Sequence, residues 1–433
     1  MQTSLRGIAR KAKQDSKYRF GNLYGMLNKQ ALYLAWLDIN KKAATGVDKE
    51  TAKEFEKNLE ANLEALVEEL KSKRYKARLV KRVNIPKGEG KTRPLGLTAL
   101  RDKIVQRATA RILEAIYEQD FLKCSYGYRP GKRAQEAVRD LSGELMRKYN
   151  YVVEADIRDY FNTIDHNWLI KMLELRIKDT ALIRLIKKWL KAGVLDTDGR
   201  VINPETGCPQ GSVISPILAN IYLHYVVDLW FEKIVKPRSS GDSNICRFAD
   251  DFVCAFQNKD EAMRFYCVLG KRLGKFGLKL AEEKTKVIKF SRFNMQESTS
   301  FDFLGFEFRW KQSRKGKSFV GKRTSRSKLR KSLKAFTQWC KDNRNKRIRR
   351  IIEMLNAKFR GYFNYYGVIG NSEGLCDFYG AALHILYKWM NRRSQKKSYT
   401  GDEFSAMIKR YGLITPRITE VPKNQIRWEE CFV

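Results

Sequence analysis

The chain of 433 residues has only three histidines, His166, His224 and His384, and none of its eight cysteines stands in a Cys-x-x-Cys pair. Structural zinc sites draw on closely spaced Cys and His ligands, so this composition argues against one. No apolar run reaches the roughly 18 residues that a membrane span needs, and no amphipathic basic segment bears a lipidation motif. The first residues, Met1 to Gly7, lack the apolar core of a secretory signal. These absences predict a cytoplasmic protein with no membrane partner, whose thiols are reduced and are mostly small core residues. Acid is also in short supply: 48 Asp and Glu face 86 Lys and Arg, a formal net charge of +38. That excess goes far beyond what solubility requires and implies a polyanionic partner, nucleic acid before an anionic membrane surface.

The length exceeds the size at which one core keeps growing, so two or more domains are expected. Phe55, Leu59, Leu63, Leu66 and Leu70 recur at intervals of three and four, which predicts one surface helix over 51–71. Residues 79–98 alternate, turn at Gly88-Glu89-Gly90 and continue to Leu97, a hairpin carrying Lys87, Lys91 and Arg93. Helical spacing follows over about 100–118 and 132–148, and again over 166–192. A Gly-rich loop then precedes helices near 215–235 and 260–276. Strand-like runs occur at 286–290 and 301–306, and no internal repeat is present. Composition shifts after residue 300: residues 311–350 hold 17 Lys and Arg against the single acid Asp342.

Two acidic sites carry chemistry. Phe248-Ala249-Asp250-Asp251-Phe252 sets adjacent carboxylates between apolar runs, as at the tip of a hairpin. Charge beside strand material is costly unless something compensates it. A hard divalent cation such as Mg²⁺ can do so with one or two carboxylates when substrate phosphates supply the remaining oxygens. An Asp-Asp pair alone is weak evidence, being more often an ordinary solvated turn. The third carboxylate, Asp156, ends the β-rich run from Tyr151 and is followed by Tyr160-Phe161. Converging acids of this kind build a two-metal centre, its ions about 3.5–4 Å apart, for in-line phosphoryl transfer.

Taken in order, the motifs resemble the group II intron-encoded reverse transcriptase/maturase family. They are Ser125-Tyr126-Gly127-Tyr128-Arg129-Pro130, the Asp156 strand with Phe161, Gly207-Cys208-Pro209-Gln210-Gly211 leading to Ser215–Ile221, and the Phe-Ala-Asp-Asp turn. Gly277–Leu280 with Glu283-Lys284-Thr285, Phe303-Leu304-Gly305-Phe306, Arg360–Tyr366 and Asn391–Gln395 complete the set. The resemblance implies an α+β right-hand polymerase, with fingers and palm built on an antiparallel sheet and followed by an α-helical thumb. An N-terminal extension and the start of the fingers would occupy 1–80, fingers and palm 81–300, and the thumb or maturase domain with a short basic tail 301–433.

The resemblance also implies roles. Asp156, Asp250 and Asp251 would be the catalytic triad holding two Mg²⁺ ions, joined by the backbone carbonyl of Ile157. Phe161 would be the steric gate against a ribose 2′-hydroxyl, with a plain core aromatic as the alternative. Lys87 and Arg93 would neutralise charge on the incoming triphosphate. Gln210 and Gly211 would lie under the templating pair, and Lys284 near the leaving pyrophosphate. Leu304 and Gly305 would grip the primer 3′ end. The basic composition past residue 310, rather than the resemblance, points to Lys322, Arg323, Arg326, Lys328 and Arg330 as contacts for RNA phosphates.

Some residues depart from the family pattern: Phe248 replaces the commoner Tyr, Ser212 stands where Gly is frequent, and nothing after His384 supplies the ligands of a His-Asn-His nuclease. The function implied is RNA-directed DNA synthesis together with intron-RNA binding that assists splicing and retrohoming. The partners would be a structured intron RNA, an RNA template and a DNA primer, and a homodimer stays open. Two alternatives remain: a non-polymerising splicing cofactor, and a free-standing reverse transcriptase of phage defence or diversity generation.

Overall fold

Capping chemistry sets where the first helices begin. Ser4 opens α1 (Leu5–Gln14) by accepting from the Gly7 amide at 3.0 Å, and Asn28 opens α2 (Lys29–Asp38) in the same way. The computed structural model describes residues 4–88, 91–293, 295, 299–393 and 398–420, without the side chains of residues 87, 88 and 91. The helix expected over 51–71 is two, α3 (Ala52–Lys57) and α4 (Leu59–Lys71). The break falls at Asn58, whose backbone leaves the helical region, and the Asn62 side chain satisfies the freed Phe55 carbonyl at 3.0 Å. Phe55, Leu63, Leu66 and Leu70 are still buried on one side.

The hairpin β1 (Val80–Gly88) and β2 (Lys91–Leu97) forms as its alternation predicts, followed by α5 (Leu100–Tyr117), α6 (Ala134–Leu145) and β3 (Tyr151–Arg158). A short α7 (Tyr160–Thr163) precedes α8 (His166–Glu174) and α9 (Thr180–Leu190), which replace the single helix expected over 166–192. Asp179 restarts the chain, its carboxylate accepting from the Ala181 and Leu182 amides. Strands β4 (Val194–Leu195) and β5 (Val201–Ile202) lie where only a loop was expected; β4 pairs parallel to β1, giving the order β2-β1-β4-β5. Next, α10 (Ser215–Leu223) continues through two π-helical turns, His224–Asp228 and Phe231–Val235, to α11 (Lys236–Arg238). The remaining elements are β6 (Ser243–Phe248), β7 (Asp251–Phe256), α12 (Lys259–Lys275), β8 (Lys279–Leu280), β9 (Lys286–Lys289), β10 (Phe301–Phe303), β11 (Phe306–Gln312), β12 (Ser318–Thr324), α13 (Arg326–Asn343), α14 (Ile348–Tyr366), α15 (Ser372–Met390) and α16 (Gly401–Arg410).

The chain divides into two compact units, each assembled from separate segments. The first holds Met1–Pro130, Ala155–Ser240 and Arg264–Thr285. Its core runs along α5, where Ile104, Val105, Ile112, Leu113 and Ile116 are almost wholly buried. In this unit the second half of β3 pairs with β8, Ile157 opposite Leu280. The second unit holds Gly131–Glu154, Gly241–Met263 and Lys286–Val433. There β6, β7 and the first half of β3 are neighbours in one sheet, β9 pairs antiparallel to β3, and β10-β11-β12 make a second sheet.

The helices α13 to α16 of the second unit share an aromatic core that includes Phe336, Phe359, Phe363 and Phe378. Tyr362 stacks on Phe378 with ring centroids 3.7 Å apart. Asn371, fully buried, joins β12 to this bundle by accepting from the Thr324 amide at 2.8 Å and donating to the Tyr366 carbonyl at 2.8 Å. Among the described residues no helix is long and apolar enough to cross a membrane.

Candidate active site

In the first unit Asp156 sits on β3 between Ala155 and Ile157, both buried, so its neighbours fix the strand while its carboxylate reaches the surface. The Asp156 carbonyl accepts from the Ala281 amide at 2.9 Å, and its carboxylate, about a quarter exposed, is ion-paired with Lys284. Arg158 and Glu283 make a second ion pair across the same two segments at 2.8 Å. Carboxylate oxygens and a main-chain carbonyl such as that of Ile157 are hard donors that suit a divalent cation. Among the described residues no three His, Cys, Asp or Glu are already gathered as a metal-binding group. At Asp156 it is the Lys284 ammonium that supplies the compensating charge.

Three other residues expected at the nucleotide are brought together. The Arg93 guanidinium donates to Gln210 Oε1 at 2.9 Å, and the Gln210 carbonyl accepts from the Gly96 amide at 2.5 Å. Gly211 has φ +104°, and a Cβ there would lie 2.5 Å from the Gly96 carbonyl oxygen, so only glycine allows this approach. Ser212, which departs from the family's usual glycine, is buried and donates to Gln106 Oε1 at 2.8 Å, while the Val213 amide donates to the same oxygen. Gln106 thus anchors the loop from within α5, a role that helical spacing alone did not reveal. Phe161 is 7% exposed on α7, with the Tyr128 ring edge-on at 6.2 Å. The side chain of Lys87 lies outside the described residues.

In the second unit Asp250 and Asp251 form the tip of the β6–β7 hairpin, where Phe248 pairs with Asp251 and only Ala249 and Asp250 turn the chain. Ala249 has φ +58°, a left-handed conformation costing a residue with a Cβ roughly 1–2 kcal/mol. The guanidinium of Arg247, fully buried, donates to the Ala249 carbonyl at 3.0 Å and holds that conformation. Sequence reading passed over Arg247; a charged residue inside an otherwise apolar strand was the available signal.

The β10–β11 turn is equally unusual, with Leu304 at φ +51° and Gly305 at φ +78°. The Gly305 carbonyl accepts from the Ser325 amide at 2.9 Å, and the Tyr365 hydroxyl donates to the Leu304 carbonyl at 3.0 Å. Burial raises the pKa of the Tyr365 hydroxyl, and the Asp251 carboxylate raises it further, so the two groups lie within electrostatic reach.

The five basic residues expected at RNA divide. Arg326, Lys328 and Arg330 are exposed on α13. Lys322 is not: it is 8% exposed on β12, and burial lowers its pKa. Arg323 makes a bidentate pair with Glu307, with N–O distances from 2.8 to 3.0 Å. In both, the fold already engages the charge, Lys322 by burial and Arg323 by its carboxylate partner, unlike the three exposed residues of α13.

A family model of reverse transcriptase (RNA-dependent DNA polymerase) matches residues 85–308, more than half of the chain. A model of the group II intron maturase-specific domain matches residues 327–410. The chain is 35% identical over 301 residues to Protein YkfC of Escherichia coli (strain K12), covering 62% of this chain and 77% of that protein. It is 29% identical over 493 residues to the group II intron-encoded protein LtrA of Lactococcus lactis subsp. cremoris, covering 94% and 80%. A putative COX1/OXI3 intron 1 protein of Saccharomyces cerevisiae is 26% identical over 453 residues, with 86% of this chain and 53% of that protein covered. The reverse transcriptase family works with divalent metal ions. Two domain matches in this order, and likeness to an intron-encoded protein along almost the whole chain, make it a member of the group II intron-encoded reverse transcriptase/maturase family, an RNA-directed DNA polymerase.

Proposed function

We propose that Asp156, Asp250 and Asp251, with the Ile157 carbonyl, hold two Mg²⁺ ions, and that this centre extends a DNA primer along an RNA template. The ions, when bound, activate the primer 3′-hydroxyl and steady the pyrophosphate. The chain's own groups do the rest. Arg93, oriented by Gln210, neutralises the triphosphate, and Lys87 joins it from the same hairpin. Lys284, paired with Asp156, stands ready to give a proton or a charge to the leaving pyrophosphate. Phe161 fills the space that a 2′-hydroxyl would need. Leu304 and Gly305 receive the primer end.

Residues 1–80 serve as the N-terminal extension and start of the fingers, 81–300 as fingers and palm, and 301–433 as the thumb. Arg326, Lys328 and Arg330 of that last region bind structured intron RNA and assist splicing and retrohoming in the cytoplasm.

One observation carries the catalytic reading. A buried Arg247 and a strained Ala249 hold two carboxylates at a hairpin tip, an arrangement that costs stability and that packing alone does not explain. The test is primer extension on an RNA template with Mg²⁺. Asp250→Ala and Asp156→Ala should each abolish extension while the protein stays folded and still binds RNA. Normal extension by either variant sinks the assignment.

A further inference from the structure

The steric gate proposed at Phe161 is 7% exposed, too little ring surface to meet a nucleotide sugar unaided. The aromatic surface beside it belongs to Tyr128, which is 50% exposed and stands edge-on to Phe161 at 6.2 Å and 75°. Tyr128 also has φ +58°, a conformation unfavourable for a bulky side chain.

Its neighbours impose that conformation. Arg129, 7% exposed at its side chain, donates to Glu118 through two nitrogens and to the carbonyls of Leu122 and Ser125 at 2.9 and 2.8 Å. On the other side the buried Asn220 amide donates to the Gly127 carbonyl at 2.7 Å. The residues flanking Tyr128 are therefore clamped by Glu118, just past the end of α5, and by Asn220 of α10, while the ring between them is half open to solvent. Strain that the surroundings over-determine, at an exposed ring beside a reacting centre, marks function rather than packing.

From this the geometry points to Tyr128 as a specificity-determining residue: its ring and Phe161 together form the wall that meets the sugar of the incoming nucleotide and favours deoxyribose over ribose. The inference rests on the polymerase reading above and adds a second aromatic to it.

Single-nucleotide insertion by the full chain on an RNA template with a DNA primer tests it, using a dNTP and the matching rNTP. Tyr128→Gly removes the ring yet suits the left-handed backbone, so loss of folding is not expected and a thermal melt checks it. Tyr128→Phe keeps the ring, and Phe161→Ala serves as the reference. Tyr128→Gly should raise KM for the dNTP and lower the preference for dNTP over rNTP by about three- to tenfold, the size of one aromatic contact. Tyr128→Phe should behave as the unaltered chain. The inference is overturned if Tyr128→Gly keeps both values while Phe161→Ala shifts the preference, or if Tyr128→Phe fails as badly as Tyr128→Gly. It is equally overturned if Tyr128→Gly weakens only primer–template binding. Absence of extension by the unaltered chain would overturn the polymerase reading itself, a separate result.

Discussion

The Tyr365 hydroxyl donates a 3.0 Å hydrogen bond to the carbonyl of Leu304, joining α14 to a turn in which two successive residues are left-handed. Leucine gains nothing from that conformation, which costs it roughly 1–2 kcal/mol. The tie from Tyr365, with the Ser325 amide on Gly305, keeps the turn in place. Tyr365→Phe removes one hydrogen bond and leaves the ring, a loss on the order of 1 kcal/mol. If the turn grips the primer, KM for primer–template should rise about fivefold while turnover at saturation changes little. An unchanged KM would leave Tyr365 a packing residue only.

If Asp156 holds a divalent ion as proposed, Lys284 competes with that ion for its carboxylate, because the two side chains are ion-paired. Replacing Lys284 by Ala should lower the Mg²⁺ concentration at half-maximal extension, because the ion no longer displaces an ammonium. If Lys284 also serves the leaving pyrophosphate, turnover should fall at the same time. A Mg²⁺ titration of the variant beside the unaltered chain decides it; coincident curves would show that the pair does not compete.

Stability should depend on pH through Asp102. This residue is 2% exposed, and burial raises its pKa to about 6 against the opposing pull of hydrogen bonds from Tyr75 and the Arg78 amide. Asp120 is likewise raised to about 6 by burial, despite Arg176. A carboxyl whose folded pKa is raised contributes stability fully below its unfolded pKa near 4 and loses it as pH rises through about 6. For Asp102 that loss is on the order of 3 kcal/mol. Asp102→Asn should therefore be less stable than the unaltered chain at pH 4.5 and close much of the gap by pH 7, in urea melts at both values. A gap independent of pH would mean that Asp102 does not titrate in this range.

The sequence showed most plainly what repeats locally or marks a family. Asp156 at the end of a β-rich run, the Asp250-Asp251 turn and the hairpin from Val80 were all visible in alternation and motif order. The helix breaks were less visible, because Phe55 and Leu59 keep the apolar spacing straight through Asn58, and only the Asn62 side chain reveals where the backbone bonds change hands. β4 and β5 are two residues each; β4 exists through pairing with a distant β1 and β5 through pairing with β4, which no local pattern encodes. The burial of Lys322 was open to period-two reading: it shares a strand face with the buried Val320 and Thr324. Gln106 acts through a long-range hydrogen bond and Tyr128 through its backbone angle, properties that the fold confers on ordinary residue types.

The basic surface of α13 should separate RNA binding from polymerisation. Arg326 and Arg330 are exposed, while the Lys328 stem lies along Gly305, 3.5 Å from where a Cβ would be. Replacing Arg326 and Arg330 by Gln should weaken intron-RNA binding and reduce the slope of log K against log salt by roughly 0.7 for each phosphate that is no longer neutralised. Turnover on saturating primer–template should change much less. Lys328→Gln, beside the turn, should lower both RNA affinity and primer use. Lys322→Ala should destabilise the protein without altering the salt slope, because Lys322 is buried and within electrostatic reach of Glu420 and Arg139. Binding titrations at two salt concentrations, run with one extension assay per variant, distinguish these outcomes. If the Arg326 and Arg330 double variant retains both affinity and slope, α13 presents only a solvated charged face and RNA binding lies elsewhere on the chain.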